Sequence, residues 1–235
     1  MRILLIGYGK MGKAIEAIAI ARGHEVVAKV DTNEELNRFN QKADVAIEFT
    51  QPESAVKNIL YCFDHQIPVV CGTTGWLDQK NEIERLCVEK KGGFFYASNY
   101  SLGVNLFFRL TGYLAKVMKP YPQYKVSIDE THHTQKKDAP SGTAITLAER
   151  IIGEQPLIKK WQSTETHDPT CLVIRSQRID PAPGTHTVKY QSSVDDIEIT
   201  HTAHSREGFA QGAVLVAEWM VNRKGVYSMD DFLKV

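Results

Sequence analysis

The sequence has no excess of charge, few cysteines and no long apolar run, and each lack closes off a class of function. Lys+Arg and Asp+Glu both number 28 among 235 residues, so the formal net charge is zero. A balanced chain carries no electrostatic footprint for nucleic acid or an anionic membrane as its main partner. The four cysteines, Cys62, Cys71, Cys87 and Cys171, make no C-x-x-C pair and no zinc-ribbon spacing. They read as free thiols of a reducing compartment, not as a disulfide framework or a metal cluster. The opening MRILLIGYGKMG runs into glycines after an apolar stretch too short for a signal-peptide core. No segment approaches the roughly 20 apolar residues of a membrane span. The expectation is a cytoplasmic chain with no nucleic-acid and no membrane partner. Its 43% apolar and 24% charged residues are an ordinary globular mixture, enough for one large or two small domains.

What is present begins with alternation. Residues 3–6 (ILLI) form a short apolar run typical of a strand buried on both faces. Met11, Ala14, Ile15, Ile18 and Ala19 follow at helical spacing as far as Gly23, and 25–30 (EVVAKV) reads as a second strand. The pattern repeats with strands at 44–49, 67–71 and 94–97 and helices over 52–64 and 78–90. Such alternation predicts an α/β, Rossmann-like, doubly wound parallel sheet. The texture then changes. A long apolar helix is expected over 104–118, and 124–132, 171–178, 185–193 and 195–203 alternate like strands. A helix opens near Ser141 and is closed by Gly153, residues 154–170 read as loop, and a last helix covers about 207–222. The second part is therefore expected to be an α+β domain with a mixed open sheet. The boundaries drawn are 1–103 for a dinucleotide-binding domain, completed by 205–235, and 104–204 for a substrate-binding and oligomerisation domain.

Gly7-x-Gly9-x-x-Gly12 lies between the first strand and first helix. In that setting the glycines allow a tight turn, backbone approach to a pyrophosphate and close helix–strand packing. The helix N-terminus then offers its unpaired N–H groups to the anion. Asp31 lies 19 residues beyond Gly12 at the end of the second strand, where a carboxylate can accept from ribose hydroxyls. Lys10 is the nearest cation for a 2′-phosphate and Asp31 repels one, so NADH and NADPH both stay open. Gly72-Thr73-Thr74-Gly75 and Ala97-Ser98-Asn99-Tyr100 end later strands, the side on which open α/β sheets bind ligands. They are equally ordinary turn residues.

The richest segment is Glu130-Thr-His-His-Thr-Gln-Lys-Lys-Asp-Ala-Pro-Ser-Gly-Thr143. Val126, Ile128, Glu130 and His132 share one strand face. The helix start at Ser141, Gly142 and Thr143 is an anion site, with Pro140 near its first position and Ser141 or Asp138 available as cap. His133, Lys136 and Lys137 add positive charge, so the pocket suits a small dicarboxylate. His132 and Lys136 can handle protons. A solvated His-His-Lys-Lys turn is the plainer reading of the same residues. A metal is not expected here, nor at His201-x-x-His204-x-Arg206, where Arg206 can instead present its fork to a carboxylate.

The segments GYGKMG, EFT (48–50), GTTG (72–75), SNYSLGVN (98–105), ETHHTQKKDAPSGTA (130–144), PGTH (183–186) and ITHTAHSREGFAQGA (199–213) resemble, in order, the dihydrodipicolinate reductase family. The resemblance implies reduction of the cyclic product of dihydrodipicolinate synthase, 4-hydroxy-tetrahydrodipicolinate, by NADH or NADPH in diaminopimelate–lysine biosynthesis. It implies His132 and Lys136 as catalytic residues, and His133, Ser141, Gly142, Thr143 and Arg206 around the substrate carboxylates. Cofactor contacts are expected at Gly7, Gly9, Lys10, Met11, Gly12, Asp31, Phe49, Gly72, Thr73, Thr74, Ala97, Ser98, Asn99 and Tyr100. It further implies a homotetramer built through the second domain's sheet, and domain closure around the ligands. Two stretches depart from the family pattern: Thr134-Gln135, where basic or His residues are common, and Arg178-Ile179-Asp180-Pro181-Ala182 before PGTH. These are expected to alter the rim of the site. The competing readings are a related reductase of another small dicarboxylate and a non-catalytic nicotinamide sensor.

Overall fold

The computed structural model describes residues 1–205 and 207–234. The chain divides into two compact units, Met1–Leu102 with Glu207–Val235, and Gly103–Arg206.

The first unit alternates β1 (Arg2–Ile6), α1 (Lys10–Ala21), β2 (Glu25–Val30), α2 (Asn33–Asn37), β3 (Val45–Glu48), α3 (Pro52–Asp64), β4 (Val69–Cys71), α4 (Lys80–Glu89) and β5 (Gly93–Tyr96). The strands pair in parallel, in the order β5-β4-β3-β1-β2. The pleat explains the near-continuous apolar run of β1. Ile3 and Leu5 enter one core layer with Ile15 and Ala19, while Leu4 and Ile6 enter the opposite layer with Ile59 and Phe63. Each such buried side chain contributes about 1.5–3 kcal/mol relative to exposure.

The second unit contains α5 (Leu102–Met118), which begins one residue earlier in the first unit, β6 (Lys125–His132), α6 (Gly142–Glu154), β7 (Lys160–Gln162), β8 (Cys171–Arg178), β9 (Gly184–Gln191) and β10 (Asp196–Ala203). Its sheet runs β10-β9-β6-β8-β7 and is mixed: β9 is antiparallel to both neighbours, and β6, β8 and β7 are parallel. One face is covered by Phe107, Phe108, Ala115 and Met118 of α5 and by Ala144, Leu147, Ala148 and Ile151 of α6, against Ile128, Ile174, Val188 and Tyr190.

Back in the first unit come α7 (Glu207–Met220), β11 (Gly225–Tyr227) and α8 (Met229–Leu233). β11 extends the parallel sheet beside β5. The segment 154–170 is not all loop, since β7 forms there against β8. Gly153 lies inside α6 rather than closing it, and the last long helix stops at Met220 rather than 222. Among the described residues no helix is long and apolar enough to cross a membrane. All four cysteines are free thiols, and burial pushes the Cys87 thiol up to about 11.

Candidate active site

In the first unit, the glycine loop joins β1 to α1. A Cβ on Gly7 would overlap the Phe49 carbonyl, and one on Gly12 would overlap the Gly7 carbonyl. A Cβ on Gly9 would meet nothing within 4 Å. Protein packing thus accounts for the first and third glycines, whereas nothing within 4 Å of Gly9 would exclude a side chain there. Asp31 accepts from the Tyr8 N–H at 2.5 Å, which ties the loop to the end of β2. Beyond it, Thr32 and Glu35 form a capping box at α2, with the Glu35 carboxylate accepting from the N–H groups of Asp31 and Thr32.

A recess of about 250 Å³ opens at this edge, lined by Ile6, Asp31, Thr32, Asn33, Thr50, Ser54 and Asn58. Its floor is organised by Glu48, a fully buried carboxylate that accepts from the hydroxyls of Thr50 and Thr73 and from the Asn58 amide. The Thr50 N–H in turn donates to the Thr73 hydroxyl at 2.7 Å. These contacts join the end of β3 to the Gly72–Gly75 turn after β4.

The expected cofactor residues therefore fall into two groups. Gly9, Lys10, Asp31, Thr74 and Ser98 are exposed, and Met11, Phe49, Gly72 and Asn99 are half-buried. Thr73, Ala97 and Tyr100 face inward. The Tyr100 hydroxyl donates to the Cys71 carbonyl at 2.7 Å, and its ring packs on Phe49 at 5.5 Å between centroids. The Gly72 Cα lies against the Phe49 ring, with no room for a Cβ.

In the second unit, β6 delivers Glu130 and His132 to the same buried face, two residues apart. His186 of β9 is the register partner of Glu130. His132 Nδ1 lies 3.0 Å from Glu130 Oε2, and His186 Nε2 lies 3.7 Å from that oxygen. The other carboxylate oxygen, Oε1, accepts from the Ser141 N–H and from Arg178 Nη2, each at 3.1 Å. These partners outweigh the opposing effect of burial and hold the Glu130 carboxyl below its usual range. Burial pushes His132 below the usual histidine range, with Glu130 opposing. Burial also brings His186 down to about 4.

Ser141 caps α6, its Oγ accepting from the Ala144 N–H at 3.2 Å and meeting His186 Nε2 at 3.0 Å. Pro140 therefore precedes the cap instead of opening the helix. Gly142 is exposed and Thr143 half-buried, and their N–H groups belong to the first turn, where no intrahelical carbonyl reaches. The loop from β6 to α6 is fastened by two contacts. Arg178 Nη2 donates to the Asp138 carbonyl at 2.6 Å, and Asp180 accepts the Thr134 hydroxyl and N–H at 2.5 and 3.1 Å. The two departures from the family pattern thus bind one another, and Arg178 also reaches the Glu130 carboxylate beside His132. Lys136 Nζ sits 2.8 Å from Asp138. Lys137 is exposed and His133 half-buried. Arg206 lies outside the described residues.

Glu130, His132 and His186 are a group whose ligand atoms lie within 4.8 Å of one another. The carboxylate already holds a guanidinium, and Lys136 adds further positive charge near His132. His201 lies beside the Phe107 ring and His204 is exposed.

Glu48, Glu130, Arg178 and His186 were not among the residues singled out from sequence. Glu130 carried a signal nonetheless, as a carboxylate on the otherwise apolar face of a strand. Arg178 and His186 stood in the sequence only within the 178–182 stretch and the PGTH segment, and strand pairing is what brings them to Glu130 and His132.

The sequence profile described as "Dihydrodipicolinate reductase, N-terminus" matches residues 1–100, and the one described as "Dihydrodipicolinate reductase, C-terminus" matches 103–233. The chain is 50% identical over 236 residues to a 4-hydroxy-tetrahydrodipicolinate reductase of Christiangramia forsetii, covering 99% of this chain and 98% of that one. It is 34% identical to the enzyme of that name from Neisseria gonorrhoeae, over 93% of this chain and 83% of that one. Among solved structures, a dipicolinate-bound dihydrodipicolinate reductase from Paenisporosarcina sp. TG-14 has the same fold, with TM-score 0.77, 23% identity and 97% of each chain covered. A probable dehydrogenase from Thermotoga maritima shares it more distantly, with TM-score 0.55, 10% identity and 91% and 85% coverage.

Proposed function

The chain belongs to the dihydrodipicolinate reductase family, and from that membership we infer that it reduces 4-hydroxy-tetrahydrodipicolinate to tetrahydrodipicolinate with a nicotinamide cofactor in diaminopimelate and lysine biosynthesis. The single observation that carries the residue-level reading is the burial of His132 beside Glu130, next to the cap of α6. When bound, the nicotinamide supplies a hydride that adds to the conjugated imine left by loss of the substrate's hydroxyl.

The chain's own residues handle charge and protons. The N–H groups of Gly142 and Thr143, with His133 and Arg206, hold the two carboxylates. His132 rests neutral, because burial disfavours its cation. It takes the proton from the ring carbon that lies between the hydroxyl-bearing carbon and the imine carbon, and returns it to that carbon once hydride addition has moved the electron pair toward the imine nitrogen. The proton that leaves with the hydroxyl as water is the one consumed overall. We assign its delivery to Lys136, a cation near enough to His132 to disfavour protonation of the ring.

In the first unit, the pyrophosphate is held at Gly9 and the first turn of α1, with Thr74 and Ser98 at the strand ends toward the nicotinamide half. The adenosine ribose occupies the recess beside Asp31. Among the described residues that line it there is a carboxylate and no Lys or Arg. Glu35 adds a second acid at the same helix start. That setting repels a 2′-phosphate and accepts ribose hydroxyls, so NADH is the preferred cofactor. Four free thiols support a reducing cytoplasm. The face of the second sheet that carries the Thr187–Thr200 and Thr185–Thr202 pairs supports assembly into a homotetramer.

The test is an assay coupled to dihydrodipicolinate synthase, following NADH and NADPH separately. Synthase-dependent oxidation is expected, with a higher kcat/KM for NADH, competitive inhibition by dipicolinate, and a loss of about a hundredfold or more in His132→Ala. No oxidation of either cofactor would sink the assignment, and a preference for NADPH would sink the reading of the Asp31 recess.

A further inference from the structure

We propose that Glu130 is the positioning residue of the site: its carboxylate fixes the His132 ring with the proton on Nδ1, so that Nε2 is the atom that exchanges protons with substrate. The proposal rests on the reading of His132 as the proton-handling group.

The geometry restrains both partners. Glu130 cannot swing, because Oε1 is held from one side by the Ser141 N–H and from another by Arg178, each at 3.1 Å. Oε2 is thereby left facing His132 Nδ1 at 3.0 Å. The His186 ring packs edge-on against the imidazole, with centroids 5.0 Å apart and planes at 74°, and restrains it on that side. At 3.0 Å the two are in ion-pair contact without the alignment of a hydrogen bond; a lone pair on Nδ1 would face the anion's own lone pairs, so the neutral His132 ring favours its hydrogen on Nδ1 and a lone pair on Nε2.

The space on the Nε2 side is left by Gly184, where a Cβ would come within 3.1 Å of that nitrogen. When Nε2 takes a proton, the imidazolium is formed against the carboxylate, and when it gives the proton up the Nδ1 hydrogen stays in place. The carboxylate itself gains and loses nothing. His186 completes the frame: its Nε2 meets the Oγ that caps α6 at 3.0 Å and lies 3.7 Å from the same oxygen of Glu130. His132 and the Ser141 N–H therefore meet at one carboxylate, of which His132 faces the oxygen Oε2 and the Ser141 N–H the oxygen Oε1.

The experiment uses ¹⁵N-histidine-labelled full-length protein and the isosteric variant Glu130→Gln. In the wild type, above its titration, the neutral His132 signal is expected to show a protonated Nδ1 and an unprotonated Nε2. In E130Q an amide N–H can donate to Nδ1, so the tautomer is expected to reverse or become mixed. kcat is expected to fall about tenfold or more, with the KM values for NADH and substrate within about threefold. The activity limb that follows His132 is expected to move to lower pH, since one anion is lost while Lys136, Arg178, Asp138 and His186 still face the ring. Glu130→Asp restores the anion and should recover part of the rate.

A wild-type His132 with its hydrogen on Nε2 overturns the proposal, a reading that needs no variant to fold. So does an E130Q protein with wild-type kcat and tautomer, or one that loses only stability and substrate affinity. Failure of the underlying reading looks different: there His132→Ala itself keeps its rate. Where both single variants are slow, E130Q/H132A should be no slower than H132A, because Glu130 acts through that ring.

Discussion

Gly7, Gly9 and Gly12 occupy one loop and answer to different constraints. Adding a methyl group at Gly12 drives it into the Gly7 carbonyl, which is backbone and cannot give way without moving the loop. The same methyl group at Gly9 meets open space. Gly12→Ala is therefore expected to lower the melting temperature by several degrees, as a clash of this kind costs about 1–3 kcal/mol. Gly9→Ala is expected to melt like the wild type but, on the proposed placement of the cofactor, to raise the KM for NADH about tenfold, because the methyl group would stand where the pyrophosphate is proposed to lie. Equal effects of the two on melting would remove the distinction. This loop was legible in the sequence because all its parts are local: strand, turn, helix and an acid within about 30 residues, the size of a βαβ unit. The Glu130 frame was only half legible. The spacing of Glu130 and His132 follows from strand periodicity, but Arg178 and His186 reach them through pairings with β8 and β9 that no local pattern encodes.

At the scale of elements, α6 shows how one residue joins fold to site. Its buried stripe Ala144, Leu147, Ala148 and Ile151 would form a helix in many contexts. Where it starts is set by Ser141, whose Oγ accepts from the Ala144 N–H and meets His186. Ser141→Ala removes a cap worth about 1 kcal/mol and leaves a buried ring nitrogen short of a partner, at a further 1–3 kcal/mol or so. The expected outcome is a lower melting temperature, faster hydrogen exchange at the first-turn amides of α6, and weaker dipicolinate binding, since the donors of Gly142 and Thr143 belong to that turn. Unchanged exchange at Ala144 would show that the helix start is held by other means. The same scale separates elements that the sequence announced from those it hid. Long periodic segments such as α3, α5 and α6 were readable. The strands β7 and β11 are three residues each, half-buried or exposed, and exist because a neighbouring strand edge accepts them. The helix α2 is five residues long, too short for periodicity, although its capping box Thr32-x-x-Glu35 stood in the sequence.

For the whole molecule, the buried histidines make acid the condition to which stability is most exposed. His186 is buried and titrates in the fold at about 4, whereas an unfolded histidine titrates near 6.5. Between these values the unfolded chain binds a proton that the folded chain refuses, so stability rises with pH across the window and is lost as pH falls through it. The slope from this one residue reaches about 1.4 kcal/mol per pH unit, and the loss by pH 4 is about 3 kcal/mol. His132, also held below its usual range by burial, acts in the same direction. Glu130, whose folded value is held down by its partners, adds its own loss at lower pH, as its carboxylate takes up a proton. Melting temperatures measured from pH 7.5 down to 4.5 should thus fall steeply below about 6.5 in the wild type, and less steeply in His186→Asn, which cannot take up the proton. Parallel curves for the two proteins would mean that His186 is not the group refusing the proton. Because the same ring meets the cap of α6 and lies near the carboxylate beside His132, protonating it is expected to disturb the helix start and the Glu130–His132 pair together. Activity in the acid range should therefore be lost ahead of global unfolding, and a bound dicarboxylate analogue should shift both losses to lower pH.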